Sequence, residues 1–203
     1  MLENLAARVR EDLKDNCNDN YNSFIVRLAL ITCAAALAHH GLLDNIDCVN
    51  LVEVDLSTVP AQHLVSLISN VTRLVYINYV IGCDLLTLID SVKCKVLLLF
   101  SQCLGREETK ALVRSMESGV ERVRLFDVDL DMETLLEFSG RGKCRVLEYG
   151  TTDNVEKLKT WAIENKWRFC DHYRYYHGLK QYYHFYPGTP DIWDRFQNSQ
   201  TGP

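Results

Sequence analysis

A chain of 203 residues, 47% hydrophobic and 24% charged, suits one domain with its own core, which buries roughly 70% of the surface exposed by the unfolded chain. With 22 Lys and Arg against 27 Asp and Glu, the net charge of −5 argues against a general nucleic-acid binder, since phosphate recognition needs clustered cations. The longest apolar run, Leu28 to Ala38, is only 11 residues long, which makes it a core helix and leaves no membrane-spanning segment to expect.

In chain order, residues 2 to 13 place Leu2, Leu5, Ala6, Val9 and Leu13 on one helical face. After a polar loop from Asp15 to Ser23, a second helix is expected from Phe24 to His40, closed by Gly41. Residues 1–47 thus read as an N-terminal helical cap. Across 48–165, valine-led segments recur at Val52, Val75, Val96, Val123 and Val146, at intervals of 23, 21, 27 and 23 residues. Each is short and β-branched or alternating, as strands are. Each is followed by apolar pairs at helical spacing, among them Leu64 with Leu67 and Ile68, and Leu112 with Val113 and Met116. Pro60, Asp84, Gly105, Asp131 and Asp153 or Asn154 open these helices, while Gly119 and Asn165 close two of them. Residues 166–190 read as an aromatic C-terminal cap, with a strand at Trp167 to Cys170 and a hairpin turning at His177-Gly178. An antiparallel hairpin there covers an open sheet edge. The remaining 191–203 are a polar tail.

Strand then helix, repeated at 21 to 27 residues, is a solenoid period. The pattern resembles degenerate leucine-rich repeats of the ribonuclease-inhibitor type, similar to the repeat region of NOD-like receptors, over about residues 48 to 165. That resemblance implies an α/β solenoid with parallel strands, helices on one side, and a role in binding other proteins. The family's turn position usually holds Asn or Cys, whose side chain satisfies backbone groups; here it is read as Ser57, Val80, Ser101, Val128 and Thr151.

If the valines point into the core, the residues one and three beyond each valine form the opposite, concave face. On that basis the expected partner-binding residues are Tyr76, Asn78, Leu97, Leu99, Arg124, Phe126, Leu147 and Tyr149, joined by Tyr175 and Tyr183 of the aromatic cap. Six of the ten strand positions on this face are apolar or aromatic, so the stripe either docks a protein partner or is covered within the chain or a homodimer.

Eight cysteines at 17, 33, 48, 83, 94, 103, 144 and 170 include no C-x-x-C pair, and the first residues lack the basic region of a secretory leader. Free buried thiols and a cytoplasmic location are the expectation. No metal or cofactor site is read. Cys170, His172, His177 and His184 fall on alternate hairpin faces. The Asp127 to Asp131 run has Met132 where a calcium loop needs Gly, and Ser139 to Lys143 precedes a strand whereas a phosphate loop precedes a helix. The function expected is therefore a non-catalytic protein–protein interaction scaffold with no nucleic-acid or membrane partner. A substrate adaptor or complex-assembly factor is the first alternative, and an α/β enzyme the second.

Overall fold

The computed structural model describes residues 2–16, 24–150, 154–172 and 182–187. Helix α1 (Leu2–Asn16) turns Ala6, Val9 and Leu13 into the core, while Leu2 and Leu5 stay exposed. Helix α2 (Phe24–His39) lies against α1 on one side and α3 (Ala61–Ser69) on the other, which is why its sequence is apolar nearly all round. Gly41 ends α2 with φ +69°, and the backbone bonds Leu42 N to Leu37 O and Gly41 N to Ala38 O form a Schellman cap. The later helices are α4 (Leu85–Asp90), α5 (Arg106–Ser118), α6 (Met132–Leu135) and α7 (Val155–Glu164). Asp131 caps α6 as its sequence suggests, its carboxylate accepting from Thr134 N at 3.2 Å.

The main strands are β1 (Ile46–Val52), β2 (Val71–Asn78), β3 (Val96–Phe100), β5 (Arg122–Phe126), β7 (Val146–Tyr149), β8 (Trp167–His172) and β9 (Tyr182–Pro187). Two short strands, β4 (Cys103–Leu104) and β6 (Asp129–Leu130), form a separate parallel pair. The main sheet runs in the order β1-β2-β3-β5-β7-β9-β8. Pairing is parallel from β1 to β7, after which β9 joins β7, and β8 joins β9, both antiparallel. The chain is thus mixed α/β with a mostly parallel seven-stranded sheet, and the edge of β7 is covered by an antiparallel pair.

The register corrects the valine stacking. Val49, Val75, Leu97, Val123 and Leu147 lie side by side, at intervals of 26, 22, 26 and 24 residues. Val75 and Val123 belong to this row, whereas Val52, Val96 and Val146 do not. Both faces of these strands are apolar, so valine marks neither. A slip of one residue exchanges the faces. One continuous core holds residues from α1 through β9, including Leu51, Ile77, Leu99, Leu125, Tyr149 and Phe185. Phe138 and Trp161 stack within it at 5.8 Å, and Trp161 Nε1 donates to Phe138 O.

Cys33, Cys83, Cys94, Cys103, Cys144 and Cys170 are free thiols. Burial pushes the Cys94 and Cys144 thiols up to about 11, and each donates to the carbonyl two residues ahead, Val96 and Val146. Cys48, in contrast, is disulfide-bonded. The expectation of free thiols throughout fails there, because sequence spacing does not reveal which cysteines approach within bonding distance.

Candidate docking groove at the carboxyl edge of the sheet

After each of the first four main strands the chain makes the same turn. Glu53, Tyr79, Ser101 and Asp127 follow β1, β2, β3 and β5, and all four take positive φ, between 47° and 53°. A side chain there meets its own carbonyl, so the conformation is held by its surroundings. Backbone bonds supply the hold, from Glu53 N to Asn78 O, Tyr79 N to Phe100 O and Ser101 N to Phe126 O. Beyond each turn lies a second ladder, in which Asp55 bridges Ile81 and Cys103 pairs with Asp129. Between the ladders Val54, Val80 and Val128 point inward and are buried, and Gln102 occupies their place in the third unit. With its Oε1 towards the neighbouring turn, Gln102 accepts from the backbone N–H groups of Val80 (3.0 Å) and Tyr79. This is the work expected of a turn-satisfying side chain, done one position beyond Ser101, where the sequence reading had put it.

Two parallel rows of outward side chains result. The first reads Glu53, Tyr79, Ser101, Asp127, and the second Asp55, Ile81, Cys103, Asp129. Tyr79 is 63% exposed and Ile81 55%. They stand at the rim of a concavity of about 960 Å³, which Asn78 lines from their own strand and Phe100 and Ser101 from the next. Ser101 Oγ donates to Asp127 Oδ2 at 3.0 Å. The Ser57 backbone N–H, 2.9 Å from Asp55 Oδ1, holds the Asp55 carboxyl below the usual carboxylate range. Gly82 permits the second turn: its φ is +72°, and a Cβ there would lie 2.5 Å from Ser57 N.

The residues expected on an open strand face fall into three groups. Leu97, Leu99, Leu147 and Tyr149 lie in the core with the helices, at most 2% exposed, and so does Tyr183 of β9. They are not surface residues. The cause is the register: units three and five were read one residue out of phase. Tyr76, Asn78, Arg124 and Phe126 do lie on the opposite face. Asn78 Nδ2 donates to Tyr76 Oη at 3.2 Å, and Asn78 also borders the groove. Phe126 is only 2% exposed, and Leu98 and Val146 on the same face are also buried, so much of this face is closed within the chain itself. Tyr175 lies outside the described residues.

One charged group is buried on that face. Glu148 is 5% exposed, between Arg124 Nε at 3.1 Å and His184 Nε2 at 3.9 Å. Burial pushes its carboxyl above the usual range, against the opposing pull of Arg124 and Arg122. The cross-strand pairing of Glu148 with His184 ties the antiparallel pair to the parallel sheet.

Neither Tyr79 nor Ile81 was singled out from the sequence. The signal was present in the spacing of buried residues, Val49-x-Leu51-x-x-Val54-x-Leu56, matched at Val75, Ile77 and Val80 and at Val123, Leu125, Val128 and Leu130. Residues between the later members of that spacing face outward.

The class defined so far is a mixed α/β protein whose parallel strands end in repeated left-handed turns. No family model, no curated protein and no solved structure matches the chain. Among the described residues no helix is long and apolar enough to cross a membrane.

Proposed function

We propose that this protein is a non-catalytic protein–protein interaction scaffold, built as a short leucine-rich-repeat-like stack, whose docking surface is the carboxyl edge of the sheet. The observation that carries the reading is the pair Tyr79 and Ile81, held exposed over a concavity in the two adjacent rows of one unit. Large apolar side chains on rigid turns lose little freedom on binding and serve as anchors. The repeated turn and the second ladder favour the repeat reading, since each unit places equivalent side chains at equivalent heights. Ser101 of the groove donates to Asp127, and no histidine stands among the described lining residues, an arrangement suited to contact more than to nucleophilic attack.

Selection of a random peptide library on the purified chain tests the reading. Peptides enriched on the wild type are expected to lose at least tenfold in affinity on a Tyr79→Asn/Ile81→Ser variant. Asparagine tolerates the left-handed turn, so the variant keeps its fold. Equal binding by both proteins would remove this edge as the docking surface.

A further inference from the structure

The two outward rows differ in sign from their centre. Glu53 and Asp55 stand at one end, Asp127 and Asp129 at the other, and Tyr79 and Ile81 lie between. Neither row contains a Lys or Arg. From the end of β1 to the end of β5 the rows cross three strand spacings, roughly 14 Å at about 4.8 Å each. An extended peptide advances about 3.3 Å per residue, so this span matches about four residues. The concavity itself is lined by Glu53, Asp55, Tyr79 and Ile81, and the two rows run on past it to Asp127 and Asp129. An acidic edge with an apolar middle repels anionic segments and gains from cations on either side of an apolar anchor.

We infer that the groove takes an extended segment of a partner protein carrying two basic residues about four positions apart, with an aromatic or aliphatic residue between them. This rests on the docking edge proposed above and specifies what docks there. Each cation meets one acidic end, Glu53 with Asp55 or Asp127 with Asp129, and the apolar residue packs on Tyr79 and Ile81. Glu53, Asp127 and Asp129 are exposed and Asp55 half-buried, so pairing with them sets selectivity and salt dependence, while the apolar pair sets much of the affinity. Cys103, exposed in the second row beside Ile81, lies under a segment bound in this way.

The test uses the full chain and three labelled seven-residue peptides. The first has arginines at its second and sixth positions around a phenylalanine–leucine pair; in the others both arginines are glutamines or glutamates. Fluorescence anisotropy at 50 and 300 mM salt should show the arginine peptide binding at least tenfold tighter than the glutamine peptide, the glutamate peptide not binding, and the preference shrinking at high salt. Glu53→Gln with Asp127→Asn should abolish the preference, and bound arginine peptide should slow alkylation of Cys103. If the glutamine or glutamate peptide binds as tightly and Tyr79→Asn/Ile81→Ser still abolishes binding, the cationic partner is overturned and the docking edge stands. If no peptide binds, or binding ignores Tyr79 and Ile81, both fall.

Discussion

At the scale of single residues, the buried carboxylate of Glu148 is the most consequential polar group in the sheet. Only 5% exposed, it is ionised at a cost that Arg124 offsets in part. Its folded-state carboxyl titrates above its unfolded value, so between the two the folded chain retains a proton that the unfolded chain has released. Stability from this group is complete below the unfolded value and declines as pH rises through the folded one. Glu148→Gln removes that slope. Urea unfolding from pH 4 to pH 8 should show the variant gaining on the wild type as pH rises, whatever constant offset the unpaired Arg124 adds. A gap that does not change with pH would show that Glu148 is ionised as readily in the fold as outside it. Gln102 is the counterpart among neutral groups, a buried amide whose bonds support the neighbouring turn. Counted from Val96, the role falls on Ser101; Leu97 is the residue in register with Val75, and counting from it gives Gln102.

At the scale of elements, the helices and strands were legible and their contacts were not. Every valine-led segment is at or beside a strand, and the opening signals at Pro60, Gly105 and Asp131 each precede a helix. The turn at residues 139–143 shows how the contacts arise. Read from sequence as the link between a helix and a strand, it packs Gly142 against the end of α5. A Cβ at Gly142 would lie 2.5 Å from Glu117 Cα and 2.7 Å from Met116 O. The same approach lets Lys143 N and Cys144 N donate to Glu117 O and Met116 O, satisfying carbonyls at the helix end. Gly142→Ala must push the turn away and strain those bonds, at a cost of about 1–3 kcal/mol. Thermal or urea unfolding would measure it. An unchanged midpoint would mean that the turn relaxes freely and does not lock α5 to β7.

At the scale of the whole molecule, the question is whether the core acts as one body or as a stack of neighbours. Hydrophobic residues form one cluster from α1 to β9, yet each described strand of the main sheet is hydrogen-bonded only to those beside it. In a stack, a lesion is felt most by the units next to it. Phe185 in β9 is fully buried and lies opposite Leu147 on one side and Phe169 on the other. Phe185→Ala should cost about 3–5 kcal/mol and accelerate amide exchange in β7, β8 and β9 well before β1 and β2. Equal acceleration in all strands would show a single cooperative core and count against the repeat reading.

What the sequence determined by itself was the local alternation: which stretches are strands, which are helices, and that the two recur in turn. Those follow from side-chain spacing and backbone preference within a few residues. The tertiary structure alone decided which face of each strand meets the helices, that Cys48 is bonded, and that Tyr79 and Ile81 stand together at the sheet edge. Those facts depend on register between segments more than twenty residues apart. With leucine and valine on both faces, only packing against the neighbouring strand selects one register from the next.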